Sequence, residues 1–374
     1  MNRFFSFLLL LACGFSAAAE EFHVYFGTYT RGESRGIYRS RFDSKEGTLT
    51  SPELAAEIQN PSFLAMHPSA KTLYAAGELD SGGSVTAFSV NATSGALTRL
   101  NQESSGGRGP CHVSINHAGT AALVANYGGG SISLLPLRPD GTIAPASSTI
   151  QHNGSSVHSR QAAAHAHFIT ASPDDRFAHV CDLGLDQIVS YSFRAASNSD
   201  PIQLSSTAVQ RARTKPGAGP RHLAFSPDGK CVYVINELNN TVSVFHYDSS
   251  NGAMSEVQSI SSLPESFTSE STAAGIAVHP SGKFVYASNR GHDSIAVFAV
   301  EPAGKLRFVA HQTAGIRTPR HFVVDPTGHW MLVENQSGNS VVVFGIDLAT
   351  GTLKRSSNSM AVASPVCAVF VRCE

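Results

Sequence analysis

One segment recurs along this chain, and it restricts the possible folds more than any other feature. It reads as an apolar run, a turn with Pro or Gly, a second apolar run, a polar corner and a third apolar run. Copies begin at Asn60 (NPSFLAMHPSAKTLYAAGE), Gly109 (GPCHVSINHAGTAALVANY), Ala164 (AHAHFITASPDDRFAHVCD), Gly219 (GPRHLAFSPDGKCVYVINE), Thr272 (TAAGIAVHPSGKFVYASNR) and Thr318 (TPRHFVVDPTGHWMLVENQ). A shortened copy, SPVCAVFVRC, begins at Ser364. Equivalent positions in the copies are Phe63, His112, His167, His222, Gly275, His321 and Cys367, spaced 49, 55, 55, 53, 46 and 46 apart. A unit of this length, rich in Val, Ile, Phe and Tyr with no amphipathic helical run, is one blade of a β-propeller. The strands missing from the last copy lie at the other end, around residues 23–29, 36–40 and 47–50. The expected fold is therefore all-β: a seven-bladed β-propeller, residues 20–374 as one domain, with one blade shared between the N- and C-terminal strands. Sharing a blade closes the ring and removes the exposed sheet edges of an open array.

Residues 1–19 read as a signal peptide. Arg3 is followed by an apolar run over 4–15, and Ala17 and Ala19 offer small side chains for cleavage before Glu20. A lipoprotein start at Cys13 is the alternative. The run is too short for a transmembrane helix, and no later stretch is longer, so the expected location is the periplasm or the medium with no membrane span. With 27 Lys and Arg against 28 Asp and Glu, the chain lacks the basic excess that binding nucleic acid requires.

Five cysteines follow residue 19: Cys111, Cys181, Cys231, Cys367 and Cys373. The number is odd, no pair is C-x-x-C, and the expectation is free thiols buried in strands rather than disulfides or zinc ligands. Three other matches carry little. Gly32-Glu33-Ser34-Arg35-Gly36 fits G-x-S-x-G but lies between two strands, not between strand and helix. His165-Ala166-His167 has no third ligand at a matching spacing. Gly128-Gly129-Gly130 opens no helix. No metal or other cofactor is expected.

The repeat places two sets of residues at one mouth of the central channel. One set starts the innermost strands and includes His112, His167, Arg221, His222, Arg320 and His321. The other lies at the corner after the next strand and includes Glu78, Glu237 and Arg290, beside a repeated Asn (Asn126, Asn236, Asn289, Asn335) read as a turn device. Clustered Arg, His and Glu in a cleft can bind an anion and move a proton. The repeated histidines have a second reading, as structural links between blades.

The phrases YFGTYT at Tyr25, VANYGGGSI at Val124, HAHF at His165, GPRHLAFSPDGKCVYVINE at Gly219 and YASNRGHDSIAVF at Tyr286 resemble the lactonase family of seven-bladed propellers, which includes 6-phosphogluconolactonases and carboxy-muconate cyclases. The resemblance implies a small-molecule lactone substrate, anionic in character, and hydrolysis of its internal ester. It implies catalytic groups at His167 (or His165), Arg221, Glu237 and Arg290. Substrate contacts are then expected from His112, His165, His222, Arg320, His321 and Glu78. A lactonising cycloisomerase and a non-catalytic binding propeller are the alternatives.

Overall fold

The computed structural model describes residues 20–79, 81–197 and 200–374. The expected signal peptide, with its alternative at Cys13, lies outside the described residues. Seven antiparallel sheets follow one another around a ring. Blades 1 to 6 have as innermost strands Pro61–Met66, Pro110–Ile115, Ala166–Ala171, Pro220–Phe225, Thr272–Val278 and Pro319–Val324. Blade 7 takes its innermost strand, Pro365–Arg372, from the C-terminus and its second, Glu21–Thr28, from the N-terminus. The two pair antiparallel, with Val24 opposite Phe370, Tyr25 opposite Val369 and Phe26 opposite Ala368. The shared blade inferred from the sequence is present.

The core explains why no copy stands alone. Among the described residues seven apolar clusters each join one blade to the next. Val24, Phe26 and Phe42 of blade 7 pack on Leu332, Val341 and Val343 of blade 6. On the other side of blade 7, Tyr25 and Ile37 pack on Leu64 and Leu73 of blade 1. Burying such side chains stabilises by about 1.5–3 kcal/mol each, and here nearly all of it depends on a neighbouring blade. Tyrosines of the second strands add hydrogen bonds across the same interfaces: Tyr25 to Gly95 O, Tyr74 to Gly141 O and Tyr286 to Gly351 O, at 2.7 to 3.0 Å. Cys111, Cys181, Cys231 and Cys367 are buried free thiols, as expected, but Cys373 is only half-buried.

One local irregularity decides where the site forms. Near the start of every innermost strand the register with the second strand slips by a bulge. In blade 4, Pro220 faces Asn236 and His222 faces Ile235, so Arg221 is the extra residue. In blade 3, Ala166 faces Asp182 and Phe168 faces Cys181, so the extra residue is His167. The repeat equivalences read from spacing are therefore off by one in blade 3: His167 is equivalent to Arg221 and Arg320, whereas Phe168 is equivalent to His222 and His321. A bulge bends its strand and re-aims one side chain. The chain reaches these bulges through left-handed residues: Gly109 and Gly219, but also Asn60, Thr318 and Ser364, each just before a Pro.

Candidate active site

The re-aimed residues meet the corner residues of neighbouring blades at one mouth. Glu237 is the hub. Its Oε2 lies 2.9 Å from Arg221 Nε, and its Oε1 lies 3.2 Å from Arg290 Nη2 and 2.7 Å from Arg160 Nη1. The Arg221 contact is an ion pair without hydrogen-bond alignment, and Arg290 Nε has no hydrogen-bond partner within the protein. Backbone carbonyls fix the buried Arg221 and the half-buried Arg290: Arg221 Nη1 donates to Ala274 O and Arg290 Nη2 to Ala273 O, both at 2.9 Å. His167 Nε2 stands 4.0 Å from Glu237 Oε2. The four residues named from the resemblance thus come together.

A second cluster faces them. Arg320 Nη2 donates to Tyr29 Oη at 2.8 Å, and that hydroxyl donates to Glu78 Oε2 at 2.9 Å. The Arg320 guanidinium also lies 5.3 Å from the centre of the Tyr29 ring. On the third side Tyr127 stacks on His165 at 4.6 Å, and its hydroxyl accepts from Arg160 Nη2 at 3.1 Å.

The other three expected contacts, His112, His222 and His321, each lie one residue beyond the bulge on their strands. Phe63, His112, Phe168 and His222 form a closed set of rings, with successive centroids 4.2, 4.1, 4.9 and 5.9 Å apart. His222 retains one link to the mouth, 3.1 Å from Arg221 Nη1. His321 pairs through Nδ1 with the fully buried Glu334, at 2.7 Å. His112 and His321 therefore belong to a second layer, one residue further along the strands, with partners other than Glu237.

Electrostatics separates the two layers. Burial would push the Glu237 carboxyl up, but Arg290 and Arg221 outweigh it and hold the group well below the usual carboxylate range. Burial pulls the Arg221 guanidinium down to about 9, with Arg290 and Arg320 adding to the effect, and it still carries its charge at neutral pH. Burial, reinforced by Arg221, drives the His167 imidazole well below its ordinary value, so it is neutral at pH 7. His112 and His222 are held neutral in the same way. Burial keeps Cys111, 3.8 Å from His167 Nδ1, as a thiol rather than a thiolate nucleophile.

Sequence reasoning did not single out Arg160, Tyr29, Tyr127 or Cys111. Tyr29, Tyr127 and Cys111 occupied the right repeat positions but look like ordinary strand residues. Arg160 lies on a one-turn 3-10 helix, Ser159–Gln161, in the segment joining blades 2 and 3. The long spacing between those copies was its one signal. The G-x-S-x-G serine is set aside by its surroundings: Ser34 is buried, with its Oγ 2.6 Å from Thr28 Oγ1 and no imidazole beside it. Among the described residues no group of three or more His, Cys, Asp or Glu is placed to hold a metal ion. No described helix is long and apolar enough to cross a membrane. The repeated asparagines do more than close their own turns. Asn126 and Asn289 donate to Ser105 O and Ser262 O, and Asn335 to Gly315 O, tying each corner to the end of an outer strand or its connector.

Known proteins share this fold and much of this sequence. The family model "Lactonase, 7-bladed beta-propeller" matches residues 23–370. A 6-phosphogluconolactonase from Bacillus subtilis is 37% identical over 348 residues, covering 93% of this chain and 97% of that one. A 6-phosphogluconolactonase from Formosa agariphila is 32% identical, covering 91% and 96%. The structure of a periplasmic gluconolactonase from Pseudomonas aeruginosa superimposes with a TM-score of 0.89 at 34% identity, covering 95% of this chain and all of that one. The chain belongs to the lactonase family of seven-bladed β-propellers.

Proposed function

We propose that this protein is a lactonase that hydrolyses the internal ester of a sugar-acid lactone carrying an anionic group. The observation that carries the reading is the buried Glu237 carboxylate, held by Arg160, Arg221 and Arg290 with neutral His167 at 4.0 Å. Within the two paired clusters, four guanidiniums (Arg160, Arg221, Arg290, Arg320) meet two carboxylates (Glu78, Glu237), an excess of positive charge. That excess favours an anionic ligand and rejects cationic ones.

The chemistry follows from the charges. Water oxygen attacks the lactone carbonyl carbon, and negative charge develops on the carbonyl oxygen. Guanidinium N–H groups of Arg221 and Arg290 stabilise it, an effect on the order of 10²–10³ in rate for one such donor. His167 takes the proton from water. Glu237, its carboxylate held by three guanidiniums, lies 4.0 Å from His167 and stabilises the imidazolium that forms. The ring C–O bond then breaks, and the proton passes to the departing ring oxygen. The product is an open-chain hydroxy acid, with no net redox change. Glu78, Arg320 and Tyr29 would orient the substrate from the opposite side.

An exported enzyme would meet unphosphorylated lactones, since sugar phosphates are products of the cytoplasm. The apolar N-terminal segment and the periplasmic relative support placing it in the periplasm or outside the cell. The test is titration of acid released from aldonolactones, uronic-acid lactones and their phosphorylated forms. Arg290→Ala and Glu237→Gln are expected to lower kcat/KM by about 10²-fold or more. Wild-type protein that releases no acid from any of these lactones, or variants as active as wild type, would overturn the reading.

A further inference from the structure

The loop that carries Arg160 is held by a residue outside the mouth. Asp186 sits at the corner between the strands Phe177–Asp182 and Gln187–Arg194 of blade 3, in a left-handed conformation (φ 53°) and 4% exposed. The same corner in other blades holds Asn240, Asp293 and Asn339, at φ 47 to 52°. Each of those ties its blade to the chain entering the next one: Asn240 donates to Ser271 O, Asp293 accepts from Thr318 N, and Asn339 accepts from Ser364 N. That is the structural task of the position, and an amide side chain suffices for it in two of the three.

Asp186 performs this task and a second one. Its Oδ1 accepts from Gly219 N and its Oδ2 from Gly217 N, both at 2.7 Å, in the chain entering blade 4. In addition Oδ1 accepts from Gln161 Nε2 at 2.7 Å and Oδ2 from Ser156 Oγ at 2.5 Å. Gln161 also donates to Leu183 O and accepts from His158 N, which fixes the helical turn bearing Arg160. Gly219 O in turn accepts from Glu237 N at 2.8 Å, and Arg221 follows two residues on. One carboxylate thus braces the carriers of Arg160, Arg221 and Glu237 against one another. Its four donors fill its acceptor sites, which is what makes a buried carboxylate tolerable.

We propose that Asp186, acting through Gln161, is a positioning residue of the lactone site: it holds Arg160 at the distance from Glu237 and Arg221 that the reaction needs. This rests on the reading of the mouth as the lactone site. Asp186→Asn keeps one acceptor oxygen and supplies the amide that Asn240 and Asn339 already use, but it cannot accept all four donors. Gln161→Ala removes only the insert's side of the brace. Each is expected to lower kcat/KM by about 10-fold or more, as small displacements of a catalytic group do. The deciding measurement is a cycle with Arg160→Ala. If Asp186 acts through Arg160, adding Asp186→Asn or Gln161→Ala to Arg160→Ala costs no further activity. Losses that multiply, or single variants within twofold of wild type, overturn the proposal. Hydrogen exchange separates this from the functional reading. In both variants the amides of residues 156–161 should exchange faster while those of blades 5 and 6 do not change. Unchanged exchange at 156–161 overturns the brace even if the enzyme is a lactonase. Faster exchange in a protein inert to every lactone would instead leave the brace standing and sink the lactone reading.

Discussion

Two layers of side chains line the channel, one residue apart on the same strands, and their chemistry is opposite. The bulged positions give His167, Arg221 and Arg320, which meet Glu237, Arg290, Tyr29 and Glu78 at the mouth. The next positions give Phe63, His112, Phe168 and His222, which stack on one another. In the first layer Arg221, Arg320 and His167 are charged or close to a charge; in the second, His112 and His222 are neutral imidazoles packed against aromatic rings. The difference teaches that identity alone does not assign a role to a histidine in this protein. His167 and His112 are both buried and both neutral, yet one stands 4.0 Å from a carboxylate between guanidiniums and the other stands between two phenyl rings.

The largest effect should come from removing residues 364–374, because Val366 and Cys367 supply one member of each layer and blade 7 loses its innermost strand. The truncated chain is expected to be unfolded or aggregated by circular dichroism and size-exclusion chromatography. A monodisperse, folded product would mean the ring closes without the shared blade, and the two-layer description would fail.

Next in size is the response to pH. Folded His112, His167 and His222 lie well below the unfolded imidazole value of 6.5. The unfolded chain therefore binds more protons as pH falls through 6.5, and folding stability falls with it, by about 1.4 kcal/mol per pH unit for each such imidazole. Glu237 acts at lower pH. Its folded value lies below the unfolded value of 4.5, so its contribution is present above 4.5 and lost as pH drops further. Urea unfolding between pH 7.5 and 5.5 measures the first part. His112→Phe should flatten that dependence by one imidazole's share; an unchanged slope would mean His112 is not held neutral.

On activity His112→Phe is expected to do little, within about threefold, because the new ring takes the same place against Phe63 and Phe168. A loss approaching that of Arg290→Ala would move the second layer into the substrate site. Ser34→Ala should have the smallest effect, with kcat/KM unchanged and stability lower by about 1 kcal/mol at most for the lost hydrogen bond to Thr28. Abolished hydrolysis in Ser34→Ala would point to a serine mechanism instead of the mouth.

The repeat, its count of blades and the shared seventh blade were legible in the sequence because each copy carries its own turn and strand signals. Arg221, Glu237 and Arg290 were legible because they break the repeat at positions that point to one rim, and His167 through the family resemblance, since it was read as one of the repeated histidines. The equivalence of His167 with Arg221 was not, because a bulge adds one residue without changing composition, and spacing alone cannot locate it. Arg160 was not legible either, since a loop between copies has no periodicity to mark it.

By itself, then, the sequence determined that this chain closes into seven blades and that its charged exceptions gather at one end of the channel. Apolar periodicity and turn residues act locally, so they can be read locally. Only the tertiary structure decided which histidines face charge and which face aromatic rings, and which carboxylate braces Arg160. Those outcomes depend on side chains brought together from different blades, where a one-residue shift of register exchanges one environment for the other.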